Sequence, residues 1–495
     1  MSATLDGARV ARLMGDAPVV ASEGRAFPVE TRYVERDPNR RVEDSVADAV
    51  LALNLPGVDT IREPRRILPS GDVGSSLIGR TDIDGVGTGG LEMQYQEQLA
   101  GTDGERVREH DRQGRSIPGS GTTTVEPVPG DDLVLTIDRT LQYQVEQALV
   151  TRVSALKAKG GSVVVMDTAT GDIYAVANVS RDPETYEVGV TSANLAAVEA
   201  FEPGSVAKVF SLSGVVDSGV ADPTTEIDVP GKLTFDPDTT WEKTISDAEP
   251  HDLMKMTMRN ILVHSSNLGT YLLTDRLGGT RLEEYLRLFG FGEKTALQFP
   301  GETAGKVHPA SEWKGSEKAT VTYGYHYQTS ALQLAAAVNT VANHGTYVAP
   351  RLVRGYVGSD GTVTEVAASA THPVISASAA ATMTDMLTGV VCEGTGREAQ
   401  LKGISVAGKT GTAYKAQNGG YGDATSRRYR ASFVGYFPAQ APRVTILVTI
   451  DEPDPTSNDR FGGKAAAPLF AKIATLALHE LRIAPQPGDT GCPAA

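Results

Sequence analysis

Cysteine occurs only twice in these 495 residues, at Cys392 and Cys492. Two thiols are too few for a disulfide framework and leave two readings open, one bridge in an exported protein or a pair of free thiols. No run of about eighteen apolar residues exists, and the first residues lack the charged-then-apolar order of a leader, so neither a membrane span nor a signal peptide is read from this chain. The 8 histidines never form a His-x-x-x-His pair or a Cys/His cluster, which argues against a zinc hydrolase. A phosphate-binding loop is missing too. Gly85-Val-Gly-Thr-Gly-Gly90 has no lysine and no strand-to-helix setting, and reads as an ordinary loop. Positive charge is in deficit: 46 Lys and Arg against 61 Asp and Glu leave a net charge of -15, and no basic stripe alternates with aromatics, so nucleic acid is excluded as a partner. Nothing here asks for a metal or a cofactor.

What is present describes a globular protein: 40% hydrophobic residues with 52 glycines and 27 prolines. The length exceeds what one core usually supports, which implies two domains. Residues 1–130 are rich in Arg, Asp and Glu with short apolar stretches such as Leu55-Pro-Gly57 and Arg65-Arg-Ile-Leu-Pro69. They end in a Gly, Ser, Thr and Pro-rich connection from Pro118 to Asp132. Beyond it the patterning predicts a strand closing at Asp138, which caps a helix carrying Leu141, Val145, Leu149 and Leu156, then a hairpin between Ser162 and Ala177. Far downstream come a strand at Lys409, another over Ala431 to Phe437, and an almost continuously apolar one over Val444 to Ile450, suited to the centre of a sheet. A helix from Lys464 to Leu481 follows. The expected architecture is α+β, a five-stranded antiparallel sheet flanked by helices plus a helical subdomain, spanning residues 131–485, with a flexible tail over 486–495.

Three short strings carry chemistry, in the order Ser205-Val-Ala-Lys208, Ser265-Ser-Asn267, Lys409-Thr-Gly411. Each alone is a common cap or turn cluster. Their order and separation match the Ser-x-x-Lys, Ser-x-Asn, Lys-Thr-Gly signature of serine acyl transfer. Glu202-Pro203-Gly204 followed by Val206, Ala207, Val209, Phe210 and Leu212 puts Ser205 in the first turn of a buried helix, where unpaired amides favour a developing alkoxide. Three residues on, Lys208 shares its face, and a desolvated amine can take the serine's proton. Ser265 to Asn267 fall between a helical stretch with Leu253, Met254, Met258, Ile261 and Leu262 and another with Leu268, Tyr271 and Leu272. That turn can hold a hydroxyl for proton relay and an amide for a substrate. Val406 to Ala413 alternates small and polar residues, as on a strand lining a cleft, where Lys409, Thr410 and Thr412 offer a charge and two hydroxyls to a carboxylate.

On these residues the chain resembles the class B penicillin-binding proteins, the peptidoglycan transpeptidases, most closely the division-associated subgroup. Leu133-Val-Leu-Thr-Ile-Asp138, Gly161-Ser-Val-Val-Val-Met-Asp167, Thr170-Gly-Asp-Ile-Tyr-Ala-Val-Ala177, Phe201-Glu-Pro-Gly-Ser205, Thr329-Ser-Ala-Leu-Gln-Leu-Ala335, Ala342-Asn-His-Gly345 and Gly394-Thr-Gly396 are similar as well. The resemblance implies Ser205 as the acylated nucleophile, Lys208 as its base, Ser265 as relay, Asn267 on the donor peptide and Lys409 completing the network. It also implies Thr410, Gly411 and Thr412 as the strand that binds a D-alanyl-D-alanine carboxylate or that of a β-lactam, and the amides of Ser205 and Thr412 as the oxyanion hole. The implied partners are stem peptides, β-lactam antibiotics, a membrane-embedded glycan-polymerising glycosyltransferase and division proteins, at the extracytoplasmic face of the bacterial membrane. The family's leading membrane anchor and early pedestal pattern are not in this chain, which therefore reads as N-terminally incomplete, with residues 1–130 the later part of a pedestal. A carboxypeptidase or β-lactamase on the same scaffold, or a β-lactam-sensing scaffold protein, are the alternatives; no group assignable to activating a deacylating water argues against the first two, and the intact triple against the third.

Overall fold

The computed structural model describes residues 42–53, 55, 67–107, 109–113, 115, 117, 123–240, 242–417, 420–423 and 426–492. Two compact units divide the chain, Met1–Pro64 and Arg65–Ala495. In the first, the described residues form one helix, Val42–Ala52. Pro56 and Gly57, Arg65 and Arg66, and Pro118 to Thr122 fall outside the described residues. Gly85 to Gly89 form a loop that leads into a short helix at Gly90.

In the second unit, helix α1 (Arg139–Ala155) starts where Asp138 accepts a hydrogen bond from Leu141 N at 2.8 Å, the expected cap. Strands β1 (Gly160–Asp167), β2 (Ile173–Arg181) and β3 (Val188–Val190) follow. Far along the chain come β4 (Ala407–Tyr414), β5 (Tyr429–Phe437) and β6 (Val444–Asp451). They form one antiparallel sheet in the order β4-β5-β6-β1-β2-β3. The five predicted strands are all present, and β3 extends the sheet to six: its Val188 and Val190 pack against the core through one edge.

Every residue of β5 and β6 is buried, because both sheet faces are covered. On one face Val163, Val165, Ile446, Val448 and Phe433 meet α1 and the helix Ala467–Glu480. On the other, Val164, Met166, Leu447, Val434 and Tyr436 meet the helices Lys208–Asp217, Ala331–Ala342 and Ala377–Cys392. Alternation along each strand sorts side chains between the two cores. Leu77 and Leu91 belong to the second of these cores, so residues upstream of 130 share it.

Two expectations are corrected. Leu253 and Met254 do not belong to a helix: Met254–Thr257 is a strand paired with Glu226–Val229, Leu253 is 69% exposed, and the helix begins at Met258 because Thr257 caps it from Asn260 N. Residues 486–492 are not a loose tail. Asp489 accepts from Ser405 N at 2.9 Å and Ser405 Oγ at 2.8 Å, and Cys492 is disulfide-bonded to Cys392, with 5.2 Å between Cα atoms.

Candidate active site

Ser205 lies in a 3-10 turn, Gly204–Ala207, that runs straight into the helix Lys208–Asp217. Gly204 has φ 56, a left-handed conformation that glycine takes without strain, and its N–H donates to Gly324 O at 3.1 Å. The turn is pressed against β4: a Cβ on Gly204 would stand 3.0 Å from Thr412 O, and one on Gly411 2.8 Å from Val206 Cγ2. Glycine at 411 thus lets the strand approach the nucleophile turn.

The Ser265 turn has a definite construction. At the end of the helix Met258–Val263, Ser265 N donates to Leu262 O at 3.2 Å and Ser266 N to Ile261 O at 2.9 Å. This is the Schellman pattern, whose left-handed position usually holds glycine. Here that position is Ser265, with φ 60. A serine in this conformation costs energy, and the return is a hydroxyl aimed between two lysines. Ser266 then caps the next helix, Asn267–Leu277, accepting from Gly269 N.

Lys208 Nζ lies 3.1 Å from Ser205 Oγ, 3.1 Å from Ser265 Oγ, 2.5 Å from Ser265 O and 2.8 Å from Asn267 Oδ1. Lys409 Nζ reaches the same Ser265 Oγ at 2.9 Å. The structure therefore gathers Ser205, Lys208, Ser265, Asn267 and Lys409 from two helices, a turn and an edge strand. Both lysines are wholly buried. Burial, with the neighbouring charge of Lys409, pushes the Lys208 amine well below its ordinary value; burial alone lowers Lys409 to about 7. A neutral Lys208 has two hydrogens for the carbonyl oxygens of Ser265 and Asn267 and one lone pair for the Ser205 hydroxyl, which is the bonding a general base requires.

Thr410 and Thr412 occupy alternate positions on β4, the sheet's edge strand. Thr412 Oγ1 accepts from Gly462 N at 3.1 Å, leaving its hydrogen to donate. Thr410 Oγ1 sits 2.7 Å from Thr395 Oγ1, a third hydroxyl, in the Gly394-Thr-Gly396 string, to which the sequence alone assigns no role. Asp247 is the other unforeseen neighbour, bonded to the Ser266 hydroxyl and to the N–H groups of Asn267 and Leu268. Its place 20 residues upstream of Asn267 gives no periodic signal. Among the described residues no group of three or more His, Cys, Asp or Glu could hold a metal ion.

The sequence matches the penicillin binding protein transpeptidase domain over residues 161–475 and the penicillin-binding protein dimerisation domain over residues 29–135. It is 34% identical to the penicillin-binding protein PbpB of Mycolicibacterium smegmatis across 91% of this chain and 70% of that protein. Identity to the probable peptidoglycan D,D-transpeptidase PenA of Neisseria meningitidis is 33%, across 90% and 74%. In three dimensions it is similar to penicillin binding protein 3 of Mycobacterium tuberculosis, with TM-score 0.74 and 33% identity over 87% of this chain and 94% of that one in the apo form. The ampicillin complex of the same protein gives TM-score 0.74 over 88% and 96%. With the family match spanning the nucleophile turn, the Ser265 turn and the lysine strand together, the chain belongs to the class B penicillin-binding proteins, the peptidoglycan D,D-transpeptidases.

Proposed function

We propose that this chain cross-links stem peptides through an ester on Ser205 and that β-lactams trap the same ester. The observation that carries the assignment is the single amine, Lys208 Nζ, within 3.1 Å of both serine hydroxyls. Ser205 Oγ attacks the carbonyl of the penultimate D-alanine while Lys208 takes its proton. Amides of Ser205 and Thr412 hold the oxyanion. The peptide bond breaks as Ser265 delivers a proton to the departing D-alanine, replenished from the lysines on either side of it. An acceptor amine then attacks the ester, loses its proton to Lys208, and restores Ser205. Lys409, Thr410 and Thr412 bind the terminal carboxylate, and Asn267 binds the donor peptide.

Transfer to an amine is favoured over transfer to water by the state of the nearby carboxylates. Both Asp247 oxygens are taken by Ser266, Asn267, Leu268 and His251, and Glu202 is taken by His326 N and Tyr421 Oη. Neither is free to activate water. Residues before about 130 supply no catalytic group in this reading; they form the pedestal on which a membrane-embedded glycosyltransferase and division proteins would dock outside the cytoplasmic membrane. Intact-protein mass spectrometry after penicillin exposure tests the centre of it: one adduct that outlasts its formation, absent in Ser205→Ala, is expected. Rapid multiple turnover would make the protein a β-lactamase instead.

A further inference from the structure

The carboxylate of Asp247 is nearly buried, its side chain 6% exposed, and accepts four contacts. Oδ1 takes Asn267 N at 2.5 Å and Leu268 N at 3.0 Å; Oδ2 takes Ser266 Oγ at 2.6 Å and His251 Nε2 at 3.0 Å. Three of these donors belong to the stretch immediately after Ser265. Two of them, Asn267 N and Leu268 N, are N–H groups of the first turn of the helix Asn267–Leu277, where a negative charge is stabilised. Asn267 is shared: its N–H faces Asp247, while its Oδ1 faces Lys208 Nζ at 2.8 Å and its Nδ2 donates to Ser246 O at 3.2 Å. One carboxylate thus ties down the downstream side of a turn whose left-handed serine would otherwise relax.

We propose that Asp247, braced by His251, is a positioning residue for acylation: it locks the Ser265–Asn267 turn in register with Lys208 and keeps a compensating negative charge near the two buried lysines. The proposal rests on Lys208 as the base of Ser205. His251 fits a brace because both ring nitrogens face acceptors, Nδ1 the Asp252 carbonyl at 2.6 Å and Nε2 the Asp247 carboxylate, so both contacts are satisfied by the imidazolium. Its pKa is raised by the Asp252 carbonyl first and by Asp247 second. The titratable groups around Asp247 are His251 and Asp252 on its own loop, Lys208 on the nucleophile helix and Tyr323 on the turn Val321–Tyr323, with Lys409 acting on Lys208 from β4. Asp247 opposes the lowering of Lys208; without its charge the amine would shed its proton at a still lower pH.

The test is the pH profile of second-order acylation of the full chain by a fluorescent penicillin. Asp247→Asn keeps the shape and removes the charge. It should slow acylation roughly ten- to a hundredfold, the scale of losing charge-assisted hydrogen bonds, and move the acidic limb to lower pH. A wild-type rate, or a slower rate with the limb unmoved, overturns the proposal, since a purely structural role would not touch the titration. Should Asp247→Asn not fold, His251→Gln is read instead: slower acylation at an unchanged melting temperature supports the brace, and a wild-type rate overturns it. Lys208→Ala in the same assay keeps the two claims apart, because acylation that survives it removes the base assignment whatever Asp247 does.

Discussion

Two buried amines sharing one hydroxyl repel each other strongly if both carry a proton. Lys208 is the one to release it, because it faces Lys409 and has two fixed carbonyl oxygens for its remaining hydrogens. Acylation needs Lys208 neutral and Lys409 charged, so the signs are fixed: efficiency falls below the Lys208 value as the base is protonated, and falls again as pH rises through about 7, where Lys409 loses its charge. Measured against pH, the second-order rate of penicillin acylation should be bell-shaped for the free enzyme. A profile that keeps rising to the ordinary lysine range would show that Lys409 acts uncharged. Ser265 yields a second expectation. Glycine fits φ 60 and alanine does not, so Ser265→Gly should be more stable than Ser265→Ala by about 1 kcal/mol in chemical denaturation, while both acylate slowly. Equal midpoints would mean the turn carries no strain. Ser205 and Lys208 were legible in the sequence because their relation is local, one helical turn. Asp247 and Thr395 were not, because only tertiary packing brings an unpatterned loop and a helix end to the site.

The edge strand β4 does two jobs that pull its residues in opposite directions. Its outer edge must stay open to a peptide, while its inner contacts must press on the nucleophile turn. Gly411 serves the second: an added Cβ would stand 2.8 Å from Val206 Cγ2 and 3.1 Å from Pro203 O. Gly411→Ala should therefore push strand and turn apart. Overpacking of this kind costs about 1 to 3 kcal/mol, and the larger effect should be kinetic, since the amide of Thr412 and the ammonium of Lys409 move with the strand. Stopped-flow acylation with a parallel melting curve separates the two; a wild-type rate would show that the strand has room. At this scale the sheet was readable from sequence, because strands covered on both faces are largely apolar, as Val444 to Ile450 is. The stretch before Met258 was misread for the converse reason. Leu253 and Met254 are apolar yet exposed, and an apolar residue on a surface imitates a helical face.

Sequence composition places a domain boundary near 130, yet Gly74, Ser76, Leu77 and Leu91 make contacts within the body that holds the active site. Leu77 and Leu91 lie in the core beside Val164 and Phe210. Gly74 N donates to Glu146 Oε1 at 3.0 Å, an acceptor already buried and shared with Gln142 Nε2, and Asn178 Nδ2 donates to Ser76 Oγ at 3.2 Å. Burial raises the Glu146 pKa, so this carboxyl depends on its two donors. Charge-rich, Gly-punctuated sequence hides such contacts, because two leucines and two polar groups make no periodic pattern. A chain beginning at residue 65 keeps all of them and should acylate at the full-length rate. One beginning at residue 131 loses two buried leucines, each about 1.5 to 3 kcal/mol, and leaves a buried carboxyl short of a donor at about 1 to 3 kcal/mol more. Against a total stability of about 5 to 15 kcal/mol that is a large fraction, so this chain should melt far lower or fail to accumulate as folded protein. Thermal melting of both truncations, with penicillin labelling of whatever remains folded, decides where the catalytic body begins. Equal melting temperatures would return the boundary to 130 and make the contacts of Gly74, Ser76, Leu77 and Leu91 dispensable.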